Sequence, residues 1–306
     1  DIIETTAGSV DGINKNRQWL GSFDQLKDVK SVLATIAHLH TIGVGTFISP
    51  GIYQDAKKSD KMALHLWQGG LGLPNRDYYF NTDKKTSDIR KDYAETHLPT
   101  MLQLSGLSDV DANKAAKAVF AIEKDLASKS RKLEDLRDPY ANYNKLSLNQ
   151  LQALTPVINW ALVFEKMELK KVDSVIVGQP EFYKALNTFV KSYSIEDWKT
   201  YLKWSLINRT AGYLNTALDK QNFEFYGKTL NGTEQQEEDW KRAVSSVNGS
   251  LGEIVGKVYV KKHFTPEAKE RMTAMVKNLL KAYAASIKEL DWMSANTKKE
   301  ALAKVD

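Results

Sequence analysis

The run from Leu66 to Phe80, LWQGGLGLPNRDYYF, decides how the rest of the chain is read. Its glycines admit backbone angles closed to other residues, and Pro74 disfavours helix at Leu73, so the run is a shaped loop and not a regular element. The two sides of this loop differ in kind. Before it, the β-rich runs VGTFISPGIY and KMALHLWQ, separated by the polar turn AKKSD, predict a short bent hairpin near 44–68. After it the pattern is almost wholly helical.

Upstream of the hairpin, Asp28 caps a helix whose apolar positions Val32, Leu33, Ile36 and Leu39 run to Gly43. Downstream, Ile89, Tyr93, His97, Met101 and Leu104 form one face, with a kink expected at Pro99. A long helix over 110–133 turns Ala115, Val119, Ile122 and Leu126 inward and its Lys and Glu residues outward. Helix starts follow at Ser147 with Gln150, Ser194 with Asp197, Thr233 with Gln236, Thr265 before Pro266, and Ser294. DSVIVG at 173–178 reads as an isolated strand. Strand and helix do not alternate, so the fold class is mainly α: a multi-helical assembly with one small β-hairpin.

With 306 residues and 42% hydrophobic content, the chain lies near the size at which single cores divide, and two packed units are expected. Its 43 basic and 38 acidic side chains are interspersed, which argues for solubility and against a nucleic-acid footprint. The absence of cysteine removes disulfides, thiol catalysis and thiolate zinc sites. No apolar run is long enough for a membrane span, and DIIETTAGSVDG carries neither an initiating Met nor a signal pattern, so the chain reads as an excised piece.

The residues alone offer no self-sufficient catalytic constellation. His38 and His40, two apart on a helix, point about 200° away from each other and cannot share an ion. His65, His97 and His263 are isolated, and no HExxH occurs. The GGLG turn runs into Pro74 instead of opening a helix, which argues against a phosphate site. Trp198, Tyr201 and Trp204 recur every three residues, the pattern of a helix core more than of a stacking platform.

Five motifs taken together say more. LGLPNRDYY (71–79), RDPYANYNKLSLNQL (137–151), EFYGKTLNG (224–232), DWKRAVSSVNGSLGEIVGKVYV (239–260) and LDWMSANTKKEA (290–301) follow in one order. In that order they resemble the neprilysin and endothelin-converting-enzyme family of zinc metalloendopeptidases across nearly the whole chain. The loop then corresponds to the family signature G-L-P-x-R-D-Y-Y, carried here by Gly70, Leu71, Gly72, Leu73, Pro74, Arg76, Asp77, Tyr78 and Tyr79. A structural role suits these types: Arg76 and Asp77 pair or cap, and the hydroxyls of Tyr78 and Tyr79 reach backbone partners. Ala243 stands where animal members carry a cysteine, which points to a bacterial homologue, and Ser294 replaces the usual aspartate of W-M-D with an equally good N-cap.

The resemblance implies a helical cap domain over 1–232, helices over 233–306 returning toward a thermolysin-like catalytic domain, and a cavity between cap and catalytic domain. The family's zinc motif lies downstream of the position matching Asp306, so no catalytic or metal residue is assigned here, and zinc is expected only in the longer protein. The expected partners are the missing C-terminal peptidase domain and oligopeptide substrates, with neither nucleic acid nor a membrane span. Asn231, Gly232, Trp292 and Ser294 are candidate hinge positions. An extracytoplasmic bacterial location, periplasmic or lipid-anchored, is expected, with the cytoplasm as the alternative that a cysteine-free chain equally fits. The alternative is a helical binding or scaffold module without peptidase activity.

Overall fold

The computed structural model describes residues 21–305. Two compact units divide between Gln236 and Glu237. In the first, α1 (Val29–Thr41) starts in a full capping box, with Asp28 accepting from the Ser31 amide and the Ser31 side chain accepting from that of Asp28. Its face of Val32, Leu33, Ile36 and Leu39 is buried. The hairpin follows as β1 (Ile48–Asp55) and β2 (Lys58–Gln68), antiparallel with Ile48 opposite Gln68 and Gln54 opposite Met62.

The hairpin does not stand alone. β3 (Asn144–Ser147) and β4 (Ser174–Val177) extend it into a four-stranded sheet of order β1-β2-β4-β3, with β4 parallel to β2 and antiparallel to β3. This corrects the isolated strand at 173–178. SVIV is short, but Val175, Ile176 and Val177 are all buried, as suits an interior strand covered on both faces.

The helices of this unit are α2 (Lys84–Asp92), α3 (Leu98–Leu104), α4 (Asp109–Lys129), α5 (Leu148–Leu154), α6 (Trp160–Lys166), α7 (Pro180–Phe189), α8 (Ile195–Thr210) and α9 (Thr216–Asn222). Between α2 and α3 the chain widens into a π-helical turn, Tyr93–His97, in which the Leu98 amide reaches the Tyr93 carbonyl. Pro99 explains the irregularity: it has no N–H to continue the α ladder, and its ring is best tolerated in a first turn. A second π-helical segment, Phe223–Leu230, follows α9.

α4 ends at Lys129, short of the expected Leu133. The Gln68 side chain accepts from the Arg131 amide at 2.7 Å and donates to the Arg131 carbonyl at 3.1 Å, drawing the chain off the helix axis. Two apolar clusters fill the unit. One gathers the sheet, α1 and Trp160, Phe182 and Trp198; the other gathers Leu73, Tyr79, Tyr93, Met101 and Phe225. α4 serves both, giving Ile122 and Leu126 to the first and Val119 and Ala127 to the second. α8 does likewise, with Trp198 and Tyr201 on one side and Trp204 on the other, so the aromatic stripe is core.

The second unit contains α10 (Asp239–His263), α11 (Pro266–Glu289) and α12 (Ala295–Ala303). Thr265 and Ser294 cap α11 and α12 as expected, but no helix starts at Thr233. The segment between Gly232 and Asp239 is irregular and α10 begins without a side-chain cap, because Gln236 turns back to donate to the Asp219 carboxylate at 3.1 Å instead of closing a capping box. No described residue of α10, α11 or α12 is buried, and Leu251, Ile254, Val258, Met272, Met275, Leu279 and Tyr283 are exposed. Leu251, flanked by Ser250 and Gly252, leaves helical geometry and kinks α10.

Candidate functional site

The signature loop leaves the end of β2 and passes between the two apolar clusters, with Leu71 packed against both. Gly70 is in the left-handed region at φ +89°, and its carbonyl accepts from the Tyr201 hydroxyl at 2.9 Å. Gly72 is required for a different reason: a Cβ there would lie 1.8 Å from the Tyr93 hydroxyl oxygen and 2.9 Å from Glu123 Oε1. Its carbonyl accepts from the Tyr226 hydroxyl at 3.1 Å. Leu73 is buried, and its amide donates to the Tyr79 hydroxyl at 3.2 Å, closing the loop on itself.

Beyond Pro74, the Asn75 side chain accepts from the Asp77 amide at 2.9 Å and starts the single helical turn Asp77–Phe80. Arg76 and Asp77 form no ion pair with each other among the described residues. Arg76 Nε instead donates to the Ala127 carbonyl in the last turn of α4 at 3.3 Å, and its guanidinium lies 5.4 Å from the centre of the Phe80 ring. Tyr78 is partly buried against the second cluster, and its carbonyl accepts from Arg90.

The loop closes over Glu123, which the residue types alone place on the outside of α4. It points inward and is 1% exposed. Tyr79 donates to Oε2 at 2.8 Å, Tyr93 reaches both oxygens at 3.0 and 2.9 Å, and Trp204 Nε1 donates to Oε1 at 3.1 Å. Burial pushes the carboxyl up to about 7 against the opposing pull of these donors. The signal in the sequence was positional: Glu123 lies four residues from both Val119 and Ala127, on the buried face. Sealed under aromatic rings, it is an anchor for the loop.

A second polar cluster holds the RDPYANYNK motif to the sheet. The Tyr143 hydroxyl and the Lys145 ammonium donate to the buried Asp55 carboxylate at 2.7 and 2.8 Å. The Lys145 hydrogen bond first, then that of Tyr143, holds this carboxyl well below the usual range. Arg131 forks onto Glu181 and onto Asn142, whose side-chain oxygen also accepts from the buried Gln179.

The histidines do not converge. His40 is half-buried in α1 and lowered to about 4 by burial, and His65 stacks on Trp67 in β2. His97 is fully buried between the Tyr93, Trp204, Phe225 and Tyr226 rings, and burial brings it down to about 3. Among the described residues no three His, Asp or Glu side chains are grouped to hold a metal ion. No described helix is long and apolar enough to cross a membrane.

The hinge candidates fall in two places. Asn231 donates to the Tyr226 carbonyl at 2.7 Å and Gly232 adopts φ +73°, together ending the π-helical segment just before the division of the units. Trp292, 74% exposed, and Ser294, the cap of α12, both lie within the second unit.

The sequence model of Peptidase family M13 matches residues 3–306. An endothelin-converting enzyme homolog of Locusta migratoria is 28% identical over 274 residues, covering 86% of this chain and 37% of that protein. Neprilysin-3 of Drosophila melanogaster is 30% identical over 83% of this chain and 34% of its own length. The crystal structure of the zinc metalloprotease ZMP1 of Mycobacterium tuberculosis, in complex with an inhibitor, superposes with a TM-score of 0.87 at 34% identity, covering 96% of this chain and 44% of that one. This chain therefore spans less than half the length of the relatives it matches, and it belongs to peptidase family M13.

Proposed function

We propose that this chain is the non-catalytic, helical cap portion of a zinc metalloendopeptidase that hydrolyses short peptides. In this reading it encloses a cavity whose active site is supplied by the rest of the protein, and so limits substrate size. The observation that carries the reading is the fit of almost the whole chain onto 44% of a zinc metalloprotease. The described residues do not themselves fit a zinc site, since no three ligands converge. In this reading the metal and its chemistry belong to the rest of the protein.

The uncovered apolar faces of α10 and α11 support a role in receiving that polypeptide. Enclosure also requires a way in, for which Asn231, Gly232, Trp292 and Ser294 are the proposed hinge positions. We place the longer protein outside the cytoplasm of a bacterium, a placement that cell fractionation tests.

The functional test uses the full-length protein and peptides of increasing length that share one scissile site. Peptides up to a few tens of residues should be cut, and a folded protein displaying the same site on a rigid surface should be cut poorly. Equal specificity constants for the free peptide and the folded protein would remove the size-limiting role.

A further inference from the structure

A buried carboxyl normally lies beside a cation, because an isolated charge in an apolar interior costs several kcal/mol. Every group that reaches Glu123 is instead neutral. The loop brings Tyr79; the π-helical turn brings Tyr93 and, against its ring, His97, which burial keeps uncharged. α8 brings Trp204 and Tyr201, and the second π-helical segment brings Tyr226. The nearby cations are engaged elsewhere, Lys124 over the Phe80 ring and Arg76 at the Ala127 carbonyl. None of the ion pairs among the described residues includes Glu123.

The hydrogen-bond geometry accommodates both protonation states. Ionised, the two carboxylate oxygens accept from Tyr79, Tyr93 and Trp204. Neutral, the acid proton needs an acceptor; the Tyr79 oxygen already receives the Leu73 amide, while the Tyr93 hydroxyl can accept it and turn its own hydrogen to Tyr226. Tyr226 in turn donates to the Gly72 carbonyl, so the proton inventory of the hub is connected to the loop backbone.

We propose that Glu123 is a proton-operated latch on the 70–79 loop: its neutral form seats the loop fully, and loss of the proton leaves a buried charge, hydrogen-bonded but with no cation beside it, beneath Gly72, Leu73 and Tyr79 that loosens the seat. Burial raises this carboxyl from its ordinary value of 4.5 to about 7, which sets the working range. Because the seated state has the higher pKa, its extra stability is complete below pH 4.5 and is lost as pH rises through about 7. The inference is independent of the peptidase reading.

The test is nuclear magnetic resonance on the whole chain labelled with carboxyl-¹³C glutamate and amide ¹⁵N. One glutamate carboxyl should titrate near neutrality, well apart from the exposed ones, and should vanish in Glu123→Gln. The amides of Gly72 and Leu73 should shift with the same midpoint. After correction for intrinsic exchange, protection of Leu73 should fall by about tenfold per pH unit on the approach to the midpoint and then level off, a slope absent from Glu123→Gln. If that variant does not fold, the wild-type carboxyl and amide titrations decide the matter without it. A glutamate spectrum with no carboxyl titrating between pH 5.5 and 8.5 would overturn the proposal. So would a neutral-range titration that leaves the Leu73 amide and its protection unchanged.

Discussion

Gly72→Ala is the sharpest probe of the loop. The added methyl would begin 1.8 Å from the Tyr93 hydroxyl oxygen, 2.7 Å from its ring carbon Cζ and 2.9 Å from Glu123 Oε1. Ordinary contact near 3.5 Å requires the Tyr93 hydroxyl to retreat by about 1.7 Å, which breaks its hydrogen bonds to Glu123. Losing a hydrogen bond to a buried group costs about 1–3 kcal/mol, and overpacking adds a similar amount. The reduced freedom of the unfolded chain returns about 0.4–1 kcal/mol. The expected net loss is about 2–4 kcal/mol, and more for Gly72→Val, measured by denaturant unfolding followed by circular dichroism. Tyr93→Phe removes the clashing oxygen, so the double variant Gly72→Ala/Tyr93→Phe should lose less than the sum of the single losses. Gly249→Ala is the control, since a Cβ there meets nothing within 4 Å. A Gly72→Ala variant within about 0.5 kcal/mol of the parent, the usual range for surface substitutions, would refute the close-approach argument.

Lys145→Met should leave the buried Asp55 carboxylate without its cation and destabilise the sheet. The depressed Asp55 carboxyl contributes stability that is present above its ordinary value of 3.8 and lost as pH falls through its lower folded value, so Asp55→Asn should flatten the acid limb of the stability profile below about pH 4. Ser194→Ala removes the side-chain half of a capping box, the hydroxyl that accepts from the Asp197 amide, and should cost about 0.5–2 kcal/mol of unfolding free energy, whereas Ser194→Asp should restore most of it. Equilibrium dialysis of the chain against zinc should find no stoichiometric, tightly held ion, and one tightly bound zinc per chain would contradict the ligand placement.

What could be read from sequence was local. The cap Asp28 and the boxes Ser147 with Gln150 and Ser194 with Asp197 find their partners within one helical turn, so three residues of spacing carry the whole signal. Thr233 with Gln236 has the same letters and no helix, because Gln236 finds Asp219 seventeen residues back, a partner that spacing cannot reveal. β4 was legible as a strand but not as a sheet member, since its neighbour β2 lies more than a hundred residues away. Glu123 was misplaced by its type: among Glu123, Lys124 and Asp125 the charge pattern reads as a solvent face, while the period of Val119, Ala127 and Leu126 puts the first of them inside. At Gly72 the need for glycine was legible and its reason was not; backbone freedom belongs to Gly70, and close approach to Gly72.

These placements explain why a short loop can matter to a whole helical unit. Leu71 packs on both apolar clusters, the Gly70 carbonyl is tied to Tyr201 in the first, and the Gly72 carbonyl and Leu73 amide are tied to Tyr226 and Tyr79 beside the second. α4 and α8, the two helices shared between the clusters, meet the loop at the same point, through Glu123 and Trp204. A displacement of the loop therefore cannot be absorbed by one cluster alone. It uncovers Leu73 and Tyr79 in the second, and it withdraws the acceptor of Tyr201 in the first, leaving a buried hydroxyl without its partner. The loop acts as a seam, and the glycines at 70 and 72 let its backbone lie close enough to both clusters to join them.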